Sequence, residues 1–347
     1  LGNAEASLDS SRTIRNFWSH SLSSPPRFGK DSANVASTRE LVVMKQYCRE
    51  YSLNLNEPMG GTAGHAKQFF FITWPKTKWG QKAFQDSDGD WTSQYSDWKD
   101  SQAEIHGGIL TRLIQHPNQT TSEGLKIFAY PEGVLYENIP IEAVFEVLEN
   151  HLKGSYKTYS PKALSSNKQL FVCTHGRHDQ CCAKFGQKLF DTLRESISDT
   201  DPSIEIWESS HLGGHRFAPT VLDMPSGKMY GRVETSLINA LLYENLPIEF
   251  HRGNVFLPAW LQVVELEIRK YLKDRQLNGE IQITQEVFPT KNSFEAHFRL
   301  KEKPKVNWKL KLHQQEFGGP NSCKELSADK PRFLWVKDNI EEIRIDN

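Results

Sequence analysis

Short apolar runs alternate along the chain with stretches whose apolar residues recur every three or four positions, and this pattern predicts the elements. "RELVVMKQYCREY" at 39–51 predicts a helix. "KQFFFITW" at 67–74 and "LKIFAY" at 125–130 predict strands, and a helix over 140–153 is opened by Pro140 and closed by Gly154. A strand at 169–174, a helix at 183–198 and a strand at 204–208 ("IEIWE") follow. "RFAPTVLDMP", a Ser-Gly turn and "KMYGRVE" predict a hairpin, and helices are predicted at 233–245 and 257–274. Beyond residue 276, "EIQITQEVF", "SFEAHFRLK", "VNWKLKLHQQEF" and "RFLWVKD" alternate apolar with polar, as antiparallel strands do.

An internal echo organises these elements. "KQFFFITWPKTKWGQKAF" at 67–84 matches "KQLFVCTHGRHDQCCAKFGQKLF" at 168–190 from the opening Lys-Gln, through a strand ending Thr-Trp or Thr-His, to Gly-Gln-Lys and a helix. The second copy is five residues longer, and the extra length falls where Cys181 and Cys182 lie. The pattern predicts an α/β chain with a duplicated strand–loop–helix unit, of which only the second copy carries the cysteines. The expected organisation is a flexible leader at 1–38, a first unit at 39–158, a second at 159–275 and a small β-rich unit at 276–347. The leader is rich in Ser, Asn and Pro, with a short helix expected near Ile14 to Trp18.

Composition narrows the function classes. At 347 residues and 37% hydrophobic, the chain is long enough for two or three cores, and nine Trp with nineteen Phe argue for tight packing. A formal net charge of −1 provides no global basic field, so nucleic acid is not an expected partner. The longest compact apolar run, "FFFITW", is far shorter than the ~20 residues of a membrane helix, so no membrane span is expected. Five cysteines make a poor disulfide framework, which points to a reducing cytoplasmic location with sulfur kept for metal or redox chemistry.

The candidate chemistry lies in two neighbouring stretches, "FVCTHGRHDQCCAKFG" and "WESSHLGGHRFAP". They gather Cys173, Cys181, Cys182, His211 and His215. Cys173 closes a strand, and Cys182 sits at the threshold of a helix, where backbone N–H groups favour thiolate. The two glycines between the histidines let the chain fold tightly around an inorganic group. A zinc ion with two Cys and two His is one reading, although eight residues between cysteines exceed the usual two to four. A binuclear iron–sulfur cluster, which tolerates wider spacing and accepts imidazoles, is the other. Cys48 on its helix reads as a small buried hydrophobe and Cys323, in "GGPNSCKEL", as a bystander.

"CTHGRHDQCCAKFG" followed by "WESSHLGGHRFAPTVLDMPSGKMYGRV" resembles the signature of the sucrase/ferredoxin-like family, whose members carry a thioredoxin-like ferredoxin domain. "EPMGGTAGHAKQFFFITWPKTKWGQKAF" resembles that family's N-terminal segment, and the likeness spans roughly 45–270. It implies thioredoxin-like folds for both units and a [2Fe–2S] cluster held by Cys173, Cys182, His211 and His215. It implies no sucrose hydrolysis. Members with an Arg before the second ligand place it at Cys181, which makes Cys181 the lesser ligand candidate. His178 stands where many members have Arg.

The expected function is electron transfer to or from a redox partner protein, a reductase or an acceptor, rather than stand-alone catalysis. Neutral imidazoles in place of thiolates raise the reduction potential, and protonation at their remote nitrogens couples it to pH. Asp179, Cys181, Glu208 and Arg216 are candidates for the surrounding layer, with Asp179 or Glu208 accepting the remote N–H. A thiol–disulfide or peroxide oxidoreductase is an alternative, weakened by the lack of any Cys-x-x-Cys. A structural zinc module is another. "MGGTAG" at 59–64 precedes its strand, the wrong order for a dinucleotide fingerprint.

Overall fold

The computed structural model describes residues 12–14, 47–84, 90–117, 124–156, 158–164, 168–197 and 203–343. Most of the expected leader and residues 39–46 of the expected first helix lie outside the described residues. Ile14 closes a short strand, β1 (Arg12–Ile14), and residues 15–18 of the helix expected there lie outside them too. The chain divides into two compact units. One comprises 47–270 with 313–337, and the other the described residues of 1–46, 271–312 and 338–347.

The larger unit opens with α1 (Cys48–Asn54). The first copy follows as β2 (Gln68–Thr73), α2 (Asp90–His106), β3 (Ile109–Gln115), β4 (Leu125–Tyr130), β5 (Val134–Ile139) and α3 (Val144–Leu152). After the two-residue β6 (Lys162–Ala163) comes the second copy: β7 (Lys168–Cys173), α4 (Gln187–Ser196), β8 (Ile204–Ser209), β9 (Val221–Met224), β10 (Lys228–Tyr230) and α5 (Ile238–Tyr243). β11 (His251–Asn254) and α6 (Ala259–Asp274) complete this run.

Both copies have the same wiring. β2 pairs parallel with β3 and antiparallel with β4, and β7 pairs parallel with β8 and antiparallel with β9. This is the βαβ–ββ order of a thioredoxin-like unit, present twice. All six residues of β2 are buried, and so are five of the six in β7, because each is a central strand covered on both faces. The copies join where β3 and β8 pair antiparallel, Ile114 with Ser209 and Gln115 with Glu208, giving a ten-stranded sheet. Phe71 and Phe171 stack at 3.9 Å across the shared core.

With β1, the strands β12 (Ile281–Thr290), β13 (Ser293–Leu300), β14 (Lys303–Phe317) and β15 (Arg332–Ile343) form a five-stranded sheet in the order β1–β12–β13–β14–β15. The alternation read from the sequence is realised: Phe294, Ala296, Phe298 and Leu300 of β13 are buried, with half-buried residues between them.

Candidate metal centre

Cys173 ends β7 at the middle of the large sheet. Its N–H donates to the Thr220 carbonyl (3.1 Å) and the next N–H, of Thr174, to Ser209 (3.1 Å), so both neighbouring strands pin the strand end. The chain turns through His175 to Asp179 and enters a π-helical turn over Cys182–Gly186 that feeds α4. Such turns recur at functional sites because they displace a helix face without ending it. Gly186 makes the approach possible: a Cβ there would lie 1.9 Å from the Cys173 carbonyl oxygen. The result is a Sγ–Sγ distance of 3.3 Å between Cys173 and Cys182.

The histidine loop leaves β8 at the same end of the sheet. Gly213 (φ +91°) and Gly214 (φ +69°) adopt the left-handed conformation that closes it. The Arg252 guanidinium fills the space beside Gly214, 2.4 Å from where a Cβ would stand. Arg252 is buried and donates to the Gly213 carbonyl (2.9 Å), the Thr62 hydroxyl (3.0 Å) and the Thr62 carbonyl. Burial lowers its pKa to about 9. On the other side, His175 Nε2 donates to the Gly80 carbonyl (2.8 Å) and its Nδ1 accepts the His211 N–H (3.3 Å). Burial lowers the His175 pKa to about 4, so a neutral imidazole supports the loop.

The arrangement brings the sulfur pair and the histidines together. The ligand atoms of Cys173, Cys182 and His211 lie within 4.8 Å of one another, as do those of His178, His211 and His215. His178 stacks on His211 (centroids 3.8 Å apart), and His211 lies 5.0 Å from His215. His211 Nδ1 is buried without a hydrogen-bond partner, and the buried ring nitrogens of His215 have only the Asp179 carboxylate, 3.8 Å away, and the Asn321 backbone near them. An unpaired buried nitrogen costs roughly 1–3 kcal/mol, so a ligand at this spot is favoured.

Burial holds the His211 pKa well below the ordinary range and lowers those of His215 and His178. The imidazoles are therefore neutral and open as ligands. Hydrogen bonding with Cys182 lowers the Cys173 pKa to about 7, aided by the N–H groups of Leu212 and His175, and raises that of Cys182. A close thiol pair beside neutral imidazoles fits a soft transition-metal group.

The surrounding candidates are placed as follows. Asp179 is buried with Oδ2 3.8 Å from His215 Nε2, while its oxygens accept the N–H groups of Cys181 and Cys323 at 2.8 Å each. Glu208 pairs with Lys76 and accepts from the Thr174 hydroxyl (3.0 Å), a different environment from the imidazole contact expected of it. Arg216 pairs with Glu57 at 2.8 Å. Cys181 turns away from the Cys173 pair toward Cys48 (3.4 Å) and Cys323 (3.3 Å).

Sequence reasoning passed over Cys48, Cys323 and the stacked His178. Separations of 133 and 142 residues hide the first two from any local pattern. In the first copy Ile72, fully buried, takes the place of Cys173, and Trp74 that of His175. That copy supplies cover instead: the carbonyls of Trp79, Gly80 and Gln81 bond Arg177 (2.9 Å), His175 (2.8 Å) and His178 (3.0 Å).

The profile of the sucrase/ferredoxin-like family matches residues 59–260. Altered inheritance of mitochondria protein 32 from Debaryomyces hansenii is 27% identical over 172 residues, which cover 40% of this chain. The match spans 63% of that relative's length. A thioredoxin-like [2Fe–2S] ferredoxin from Aquifex aeolicus is 22% identical with a TM-score of 0.22, covering 25% of this chain and 91% of that one. Its wild-type structure at 1.5 Å resolution aligns at 24% identity and a TM-score of 0.22, with coverages of 25% and 97%.

Proposed function

The chain belongs to the sucrase/ferredoxin-like family, and on that premise we propose that it is an electron-transfer protein whose Cys173, Cys182, His211 and His215 hold a [2Fe–2S] cluster. The observation that carries this reading is the meeting of a thiol pair 3.3 Å apart with His211, whose ligand atom lies within 4.8 Å of both sulfurs and of His215's. Tetrahedral metal–sulfur bonds of ~2.3 Å put two thiolates on one metal ~3.8 Å apart, within reach of the observed pair by a small outward adjustment. In this reading all four side chains would hold the cluster.

When bound, the cluster supplies reversible one-electron chemistry. The chain does the rest. Arg252 and His175 hold the histidine loop in shape, and the Leu212 and His175 N–H groups point at the Cys173 sulfur. His211 and His215 are half-buried as residues, which leaves this end of the sheet a surface where a partner reductase or acceptor would dock. No helix among the described residues is long and apolar enough to cross a membrane. The reading places the protein in a reducing compartment such as the cytoplasm, where its thiols stay available for the metal.

Iron and acid-labile sulfide analysis with the visible spectrum of the purified protein tests the proposal. About two irons and two sulfides per chain are expected, as the cluster type requires. Stoichiometric zinc at these four residues, or a Cys173–Cys182 disulfide in a colourless protein, would overturn it.

A further inference from the structure

Outside the proposed cluster site, three thiols and a carboxylate converge in the same unit. The geometry points to a second metal site, in which Cys48, Cys181, Cys323 and Asp179 bind a thiophilic divalent cation of the zinc type. The Sγ separations are 3.4 Å (Cys48–Cys181), 3.3 Å (Cys181–Cys323) and 3.5 Å (Cys48–Cys323), a near-equilateral triangle. A disulfide needs ~2.05 Å. Tetrahedral zinc with ~2.3 Å bonds needs sulfur–sulfur edges of ~3.8 Å, so each edge is far nearer a shared metal than a covalent bridge. The carboxylate sits at the fourth corner: Asp179 Oδ1 lies 3.9 Å from Cys48 Sγ, and the four ligand atoms fall within 4.8 Å of one another. A sulfur–oxygen edge on tetrahedral zinc is ~3.6 Å.

The surroundings are those of a built site. Asp179 accepts the N–H groups of both Cys181 and Cys323, so one carboxylate aligns two of the three sulfur-bearing loops. The Cys48 N–H points at Cys323 Sγ (3.5 Å) and the Arg49 N–H at the Cys181 sulfur, donors that suit thiolates. Cys48, Cys181 and Asp179 are 0–1% exposed, against Ala218, Phe185 and Leu326, while Cys323 is half-buried and leaves a way in. The neighbouring guanidinium groups are engaged elsewhere, Arg49 with the Ala218 carbonyl (2.7 Å) and Arg216 with Glu57 (2.8 Å). Three thiols and a carboxylate so placed are the donor set a thiophilic divalent cation takes. The ligands come from the start of α1, the turn before α4 and the segment between β14 and β15, so the metal is a staple joining three distant stretches. It stands apart from the proposed cluster set, touching it through Asp179, 3.8 Å from His215 Nε2.

The test is metal analysis of the full-length protein reconstituted with zinc chloride under reducing conditions, alongside Cys173→Ser/Cys182→Ser, Cys48→Ala and Cys323→Ala variants. We expect about one tightly held zinc per chain that survives in the Cys173/Cys182 double variant and falls at least about tenfold in Cys323→Ala and Cys48→Ala. Cys323 lies in a loop, so its variant reads binding even where Cys48→Ala fails to fold. Cobalt(II) added to the Cys173→Ser/Cys182→Ser variant should give intense thiolate-to-cobalt charge-transfer bands that the same variant carrying Cys323→Ala loses. Zinc lost in the double variant but kept in Cys323→Ala would overturn this site and the cluster reading together. Failure of the parent to hold zinc or cobalt, with a Cys181–Cys323 disulfide in its mass spectrum, would overturn this site alone.

Discussion

Replacing Gly186 by alanine sets two physical effects against each other. The residue has helical dihedrals (φ −68°, ψ −45°), so helix propensity alone favours alanine by about 1 kcal/mol. The added methyl would instead stand 1.9 Å from the Cys173 carbonyl oxygen, 3.1 Å from its carbon and 3.7 Å from Thr174 Cα. All three are backbone atoms of a pinned strand end, so no side-chain rotation relieves the contact. An ordinary carbon–oxygen contact needs more than ~3 Å, so the turn must retreat from β7 by about 1 Å, at the ~1–3 kcal/mol or more of an overpacked core. The clash outweighs the propensity. The same retreat widens the Cys173–Cys182 gap by about 1 Å, from 3.3 Å to beyond the ~3.8 Å at which two thiolates share one metal. The assays are urea unfolding of the metal-free protein, followed by tryptophan fluorescence, and iron content after reconstitution. Gly186→Ala should lower the unfolding midpoint and the iron retained. Gly60→Ala, whose methyl would meet nothing closer than 3.5 Å, should change neither and serves as the control. A Gly186→Ala protein as stable as the parent and with full iron would refute the close approach.

Arg252→Met should leave the Gly213 and Thr62 carbonyls without their donor and cost about 1–3 kcal/mol in urea unfolding; an unchanged midpoint would contradict the clamp. His211→Cys or His215→Cys should keep a cluster at a lower midpoint potential, while the parent's potential should fall as pH rises; redox titrations unchanged by either substitution and flat from about pH 6 to 10 would remove the imidazoles from the ligand set. Although burial pushes Glu132 upward, hydrogen bonds from His151 and Gln68 outweigh it and hold the pKa at about 2. Because this folded pKa is depressed, its stabilising contribution is present above the ordinary carboxylate range and is lost as pH falls toward 2. The melting-temperature gap between the parent and Glu132→Gln should therefore shrink from about pH 5 to pH 3, and a constant gap would contradict the pairing.

The strands of the large sheet were legible because their signal is local. "QFFFIT" and "QLFVCT" are apolar on consecutive positions, as central strands covered on both faces must be. The β13 alternation was legible for the opposite reason, one face being buried. The helix expected at 183–198 opens instead with a π turn, which no periodicity announces, because it answers the approach of Gly186 to another strand.

The chain's own order of residues was enough to point to a repeated strand–loop–helix unit and to gather Cys173, Cys181, Cys182, His211 and His215 as candidates, since those five lie within a short stretch. Tertiary structure alone decided that Cys48 and Cys323, 275 residues apart, meet Cys181 and Asp179, and that His178 stacks on His211. Periodicity and spacing report which way a side chain faces within its own element. Which distant elements then come into contact depends on how the sheet, its helices and the returning C-terminal segment pack, and that information is spread over the whole chain.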